Sequence, residues 1–413
     1  MRGLVRLALV SLFLCWVGGA LRAATATKKK PTSTAHTTSP ADTAAATTTK
    51  KKPTNKKATA TAHTTSVSGQ TTISHGSHSR GRKQAMAWSP WHVSSFGEPA
   101  AGDNPTGEDR LVRAAATEAL GNFNGSVVVV DPNTGRILSI VNQKLALSGA
   151  FTPCSTFKPV VAAAALREGI ISGNTRLQAE TRFRYYYGTS RINVAQALAY
   201  SSNLFFAKLG EMLGFQRVSQ YAREFGLGEK AGLNIPNESP GVFPAAPPKE
   251  GGVGLLTSFG QDIEYTPLQL AAIVSAIANG GTLYYLQYPR TPEEIQSFRP
   301  EVRRRLADIA PYLPQVREGM AAAVREGTGR LAYDPDEEIF GKTGTCSEGG
   351  ARLGWFASYS NEERPQYTVV VLLRGGRPMF GPHAAEIAGR VYRGLPSKDK
   401  LAAQASLQHD PGL

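Results

Sequence analysis

Cysteine is scarce: three residues in 413, Cys15, Cys154 and Cys346. That is too few for a disulfide framework, and if the first is removed with a leader only two remain, in an oxidising compartment. Acidic residues are nearly missing from the first 85 positions, which hold 14 Lys and Arg against the single Asp42, whereas the rest of the chain holds 32 against 31. The net charge of +14 therefore belongs to the N-terminal arm. A nearly neutral remainder gives no support to nucleic-acid binding by the folded part. Long apolar runs are also missing. The longest, at about 7–21, is short of the roughly 18–20 residues that cross a bilayer comfortably.

That run follows Arg2 and Arg6 and is followed by small residues, with Ala23 a fitting cleavage point, so 1–24 reads as an export signal or a retained N-terminal anchor. Cys15 does not read as a lipid-attachment site, because Leu14 before it is large. The protein is expected outside the cytoplasm, in the periplasm or on the outer face of the membrane, secreted or anchored. Residues 25–104 read as a disordered Lys/Thr/Ser/Ala/Pro linker, with KKKPT at 28–32 and again at 50–54, and TAHTTS at 34–39 and 61–66. Its low-complexity part, 25 to about 81, spans about 40 Å as a coil. It is either a solvated spacer or a tether that touches anionic wall polymers or lipid heads. Trp88 and Trp91 lie in the transition, where they would dock on the domain or on a membrane surface.

The folded domain is expected over 105–395, with a polar tail at 396–413. RLVRAAATEAL (110–120) reads as a helix, and SVVVVDPNTGRILSIV (126–141) as a hairpin of two β-branched runs around a turn. A mainly helical middle is expected over about 155–327. Within it, Thr266, Pro267 and Gln269 mark a capped helix start and Gly280 its end. Strands follow at 338–346, 352–360 and 366–374, then a helix at about 383–393. Two strands early and three late predict one sheet assembled from both ends of the domain and covered by helices on both faces.

Three short stretches carry chemistry. In FTPCSTFKPV (151–160), Ser155 stands three places before Lys158 at an expected helix start, so the two share a face. A serine hydroxyl needs a base, and lysine serves only where burial or a neighbouring cation lowers its pKa. The bland alternative is a capping serine and a solvated lysine. A second Ser-x-x-Lys, Ser397 to Lys400 in the polar tail, shows how weak the pattern is alone. In ALAYSSNLFFAKLG (197–210), Ser201 suits proton relay to a leaving group and Asn203 suits holding an amide; bare capping chemistry is the rival. On the first late strand Lys342 offers positive charge, Thr343 a carboxylate partner, and Gly344 room for a substrate backbone.

The three stretches in this order resemble the set found in penicillin-binding proteins and β-lactamases. The surrounding sequence resembles the transpeptidase domain of penicillin-binding proteins over about 125–393: VVVVDPNTGRILSIV, RINVAQALAYSSNLFFAKLG, FGLGEKAGLNIPNESPG, YTPLQLAAIVSAIANGGTL and REGTGRLAYDPDEEIFGKTGTC. The resemblance implies an α/β (α+β) fold, an αβα sandwich with a five-stranded antiparallel sheet and a helical subdomain inserted between its N- and C-terminal strands. It implies acyl transfer without a cofactor or metal; four of the seven histidines lie in the arm or at its edge. Ser155 would attack the D-Ala–D-Ala bond of a peptidoglycan stem peptide with Lys158 as base. Ser201 would pass a proton to the departing D-Ala, Asn203 would position the chain, and Lys342 and Thr343 would bind the terminal carboxylate. The backbone N–H groups of Ser155 and Thr345 would form the oxyanion hole. β-Lactams would acylate the same serine. Transfer to an amine and simple trimming of D-Ala by water both fit.

One departure from the family stands beside the nucleophile, where many transpeptidases have Gly and this chain has Cys154. Pro-x-Ser-Thr-Phe-Lys also resembles class D β-lactamases and related penicillin-sensing domains, which keeps a hydrolase and a non-catalytic sensor as rivals. Asn203 argues against the first, since class D enzymes usually carry an apolar residue there, and no Glu-x-x-Leu-Asn stretch of the class A kind occurs. No stretch reads as a glycosyltransferase, so glycan polymerisation would fall to a separate protein. If the resemblance holds, Cys154 and Cys346 each adjoin an oxyanion-hole donor, and a Cys154–Cys346 disulfide would fix the hole's width; two buried thiols are the alternative.

Overall fold

A computed structural model describes residues 90–183 and 186–395, with the side chains of 181–187 left aside. The expected signal or anchor (1–24), the arm as far as residue 89 with Trp88, and the polar tail with Ser397 and Lys400 lie outside the described residues.

Helix α1 (Arg110–Leu120) starts where Asp109 accepts the N–H groups of Leu111 and Val112, and it buries Val112, Ala116 and Leu120. Strands β1 (Gly125–Val130) and β2 (Ile137–Val141) form the expected hairpin, with Val127 opposite Val141. Helix α2 (Gln143–Ser148) and a 3-10 turn (Cys154–Phe157) lead into α3 (Lys158–Arg167). Strands β3 (Leu177–Phe183) and β4 (Tyr186–Ile192) pair as a separate ribbon. Helix α4 (Val194–Ala199) precedes α5 (Asn203–Glu224), which is broken by left-handed backbone at Gly214. Then come α6 (Gly252–Phe259), α7 (Pro267–Ala278), β5 (Thr282–Tyr284), α8 (Pro292–Ser297), β6 (Val302–Arg305) and α9 (Leu313–Arg325). Strands β7 (Ile339–Glu348), β8 (Ala351–Ser360) and β9 (Thr368–Gly375) and helix α10 (Gly381–Gly394) close the domain.

The sheet has the order β2-β1-β9-β8-β7 and is antiparallel throughout. Strand alternation gives it two apolar faces. Val128, Val370, Leu372 and Trp355 point into a core shared with α3, α5 and α7. Val127, Val129, Val369 and Val371 point into a second core under α1 and α10. Burial on both sides explains why β1 and β9 read as continuous β-branched runs rather than alternating ones. Helix α7 shows the expected start: Thr266 and Gln269 cap each other's backbone N–H groups and Pro267 opens the first turn.

The middle is less helical than the sequence implies. It holds the ribbon β3–β4 and a second one, β5–β6. The second is short, and in the first Ala179 is the only buried residue among the described side chains, so neither has the apolar run that marks a strand. The body also begins before residue 104. His92 N–H donates to Gly350 O (2.8 Å), Gly97 N–H to Asn122 O (2.9 Å), and Gly376 N–H to Ser95 Oγ (2.8 Å). Asp103 pairs with Arg113 at 2.8 Å and accepts the N–H groups of Asn142 and Gln143. These polar contacts leave no apolar pattern, which is why the segment reads as linker.

Candidate active site

The turn carrying Ser155 is fixed from several sides. Both the N–H and the hydroxyl of Thr156 donate to Pro153 O (3.2 and 2.6 Å), and the same hydroxyl meets Tyr265 OH. Trp355 Nε1–H donates to Thr152 O (3.0 Å) and Thr152 N–H to Glu348 Oε2 (2.8 Å), anchoring the incoming chain to β7 and β8. Cys154 sits at φ 52°, left-handed backbone that a side chain rarely adopts. Ser155 is half-buried on the 3-10 turn, and Lys158 opens α3, whose residues through Leu166 are buried. The shared face expected of a helix start is thus made by a 3-10 turn, in which positions i and i+3 eclipse.

Lys158 is fully buried, and its Nζ lies 2.8 Å from Ser201 O, 2.7 Å from Asn203 Oδ1 and 3.3 Å from Ser201 Oγ. These three bonds go to the second motif rather than to Ser155. A neutral amine has two N–H donors and one lone pair. In that form the carbonyl of Ser201 and the Oδ1 of Asn203 take the two donors, and the lone pair is left to face the Ser201 hydroxyl at 3.3 Å. Burial, and then the charge of Lys342, hold Lys158 well below the ordinary lysine range, while Glu180 pulls it the other way. Lys342 Nζ lies 2.8 Å from Ser201 Oγ and 3.0 Å from Thr343 O, and burial pushes it down to about 7. Ser201 Oγ therefore bridges two buried lysines. It is carried on left-handed backbone (φ 57°) between α4 and α5.

Strand β7 is an edge of the sheet, and alternation divides its side chains. Lys342, Gly344 and Cys346 face the Ser155 turn. Gly344, expected to leave room for a substrate backbone, packs closely against the nucleophile turn. An added Cβ would lie 3.0 Å from Pro153 O and 3.2 Å from the Thr156 methyl, so the glycine makes room for the nucleophile turn itself. Cys346 is bonded to Cys154, with the Cα atoms 5.7 Å apart. Thr343 and Thr345 occupy the other face. The Thr343 hydroxyl lies 2.6 Å from that of Thr328, and Thr345 Oγ1, on an exposed residue, accepts the N–H of Gly381.

Two residues of this cluster escape any motif. Thr328, whose N–H donates to Ala199 O, joins the end of α4 to Thr343. Glu180 on β3 accepts the hydroxyl of Ser202 and the N–H groups of Asn203 and Leu204. Burial alone would raise the Glu180 carboxyl, but these bonds hold it below the usual carboxylate range. Thr328 lies in the GTG stretch quoted above; Glu180 carries no sequence signal, because its partners lie more than twenty residues away.

Fold and site together define a class: an αβα sandwich in which a Ser-x-x-Lys turn faces a Lys-Thr-Gly edge strand across a Ser-x-Asn junction. Residues 125–393 match the family described as the penicillin-binding protein transpeptidase domain, and the chain belongs to it. It is 25% identical over 353 residues to the peptidoglycan D,D-transpeptidase MrdA of Acinetobacter baumannii, covering 69% of this chain and 52% of that protein. It is 29% identical over 283 residues to stage V sporulation protein D of Bacillus subtilis, covering 62% and 43%. The chain thus spans about half the length of these relatives. The fold matches Pseudomonas aeruginosa PBP2, solved in complex with WCK 5153, with a TM-score of 0.59 and 23% identity over 71% of this chain and 76% of that one. It also matches the D,D-transpeptidase domain of a peptidoglycan glycosyltransferase from Eggerthella lenta, with a TM-score of 0.54 and 21% identity over 72% and 82%.

Proposed function

We propose that this chain is a serine D,D-transpeptidase of peptidoglycan, acting through a Ser155 acyl-enzyme that β-lactams also form. The observation that carries the reading is the desolvated Lys158, one turn from Ser155 and joined through Ser201 to Lys342.

In this reading the Lys158 amine accepts the Ser155 hydroxyl proton as Oγ attacks the penultimate D-Ala carbonyl of a stem peptide. The N–H groups of Ser155 and Thr345 hold the developing oxyanion, an effect of a few kcal/mol. The C–N bond then breaks, and the proton passes from Lys158 through Ser201 Oγ to the departing D-Ala amine. Lys342 and Thr343 meet the terminal carboxylate, and Asn203 positions the peptide. The amine of a neighbouring stem, or water, attacks the ester, and Ser155 regains its proton. Among the relatives, MrdA is named for the same reaction. Its site is expected outside the cytoplasm, reached by the export signal or N-terminal anchor at 1–24, with the basic arm against anionic wall polymers or lipid heads and glycan polymerisation left to a separate protein. Among the described residues no helix is long and apolar enough to cross a membrane.

The test is intact mass over time with benzylpenicillin, wild type beside Ser155→Ala. One persistent penicillin adduct, lost in the variant, supports the acyl-enzyme, and release of D-Ala from a stem pentapeptide separates the enzyme from a sensor. Rapid penicillin turnover without an adduct would move the assignment to a β-lactamase, and neither adduct nor turnover would overturn the site.

A further inference from the structure

Helix α5 begins inside the site, and its first free N–H groups need acceptors. Its cap residue Ser202 takes only one of them, that of Phe205 at 3.2 Å. Glu180 takes the next two: Oε1 accepts from Asn203 N–H, and Oε2 from Leu204 N–H and from the Ser202 hydroxyl. A carboxylate is also favoured there by the helix dipole. Both oxygens are thus committed although the residue is solvent-facing. Each residue that Glu180 holds is a neighbour of, or is itself, a group that touches Lys158. Asn203 gives its N–H to Glu180 and its Oδ1 to Lys158, while Ser201, just before Ser202, gives Lys158 its carbonyl. Ser201 holds left-handed backbone, a conformation that persists only when its surroundings enforce it.

We propose that Glu180 is a positioning residue of this active site, holding Ser201 and Asn203 in register against Lys158 and adding a negative charge behind that lysine. The inference rests on the acyl-transfer reading above. Glu180 touches no reacting atom and acts through α5. The charges that face the cluster are Lys158 from α3 and Lys342 from β7. Helix α5 presents Ser202 and Asn203 and strand β4 presents Thr189 opposite Glu180, all uncharged. The Glu180 charge favours protonated Lys158. Removing it lets Lys158 lose its proton at lower pH, so the ascending limb of a pH–acylation profile moves to lower pH even as the rate falls.

The experiment measures penicillin acylation of the full chain from about pH 4 to 9 for wild type, Glu180→Gln and Glu180→Asp, with thermal melting alongside. Glu180→Gln keeps the shape but loses the charge and one acceptor. Its rate should fall roughly tenfold, the loss expected when a charge-assisted bond to a positioning group is weakened, and its ascending limb should lie at lower pH. Glu180→Asp keeps the charge, so its limb should stay at the wild-type pH while the shorter reach lowers the rate. If Glu180→Gln acylates within twofold of wild type with the same limb, Glu180 has no such role. Should Glu180→Gln melt below the assay temperature, Glu180→Asp decides alone, and a wild-type rate or a displaced limb overturns the proposal. Failure of wild type itself to be acylated would instead refute the acyl-enzyme reading.

Discussion

Breaking the bond between Cys154 and Cys346 should weaken the fold and the site together. The bond closes a loop of 192 residues between the residue before Ser155 and the residue after Thr345. Loop-closure entropy for that length corresponds to about 5 kcal/mol. A domain of about 300 residues unfolds with an entropy near 0.6 kcal/mol/K, so the midpoint should drop by about 8 °C. Calorimetry of oxidised protein, protein reduced with a phosphine and the Cys154→Ala/Cys346→Ala double variant would measure the drop. Penicillin acylation of the same samples, held well below the lower midpoint, reads the site. The rate should fall in the two unbonded samples, because both proposed oxyanion donors then rest on hydrogen bonds and packing alone. Thiols counted on denatured, unreduced full-length chain should number one, Cys15. A count of three, or midpoints within about 2 °C of each other, would refute the reasoning.

Acylation should follow a bell in pH. It rises as Lys158, held low by burial and by Lys342, loses its proton, and it falls around pH 7 as Lys342 becomes neutral and the carboxylate partner is lost; a profile still rising at pH 9 would contradict the assignment of Lys342. Asn203→Asp would set a carboxylate 2.7 Å from Lys158 Nζ and favour the ammonium, so the ascending limb should move to higher pH, opposite to Glu180→Gln. Gly344→Ala drives a methyl against the Pro153 carbonyl, which the Thr156 bonds hold in place. It should lower stability by about 1–3 kcal/mol, read by denaturant unfolding, and slow acylation more than its midpoint shift accounts for.

What the sequence reveals of this site is what lies close together in it. Ser155 and Lys158 are one turn apart, Ser201 and Asn203 flank one residue, and Lys342 to Thr345 share one strand, so each stretch is readable before its partners are known. The sheet is readable for a related reason: β1 and β9 are buried on both faces and spell themselves in valine and leucine. Glu180 is opaque, because it is itself exposed and its partners belong to another helix. Residues 92–104 are opaque likewise, since backbone carbonyls and the carboxylate of Asp103 attach them to the body rather than an apolar stripe. Gly344 reads as room for a ligand, and in the structure the nucleophile turn also packs against it. A strand pattern says which way a residue points and leaves open whether protein or ligand comes to meet it.

The pairing of β1 with β9 places the first strand of the domain beside its last, Val128 against Val370. A chain emerging N-terminus first holds Ser155 and Lys158 long before it holds Lys342, and it cannot complete the sheet until nearly all of it is present. Non-local pairing of this kind is slow. The burial that lowers the pKa of Lys158 is completed only with it. A partly emerged chain therefore carries a solvated, protonated lysine and an unactivated serine. Competence for acylation is thus a property of the finished chain, and penicillin labelling of nascent chains stalled before residue 375 would find none.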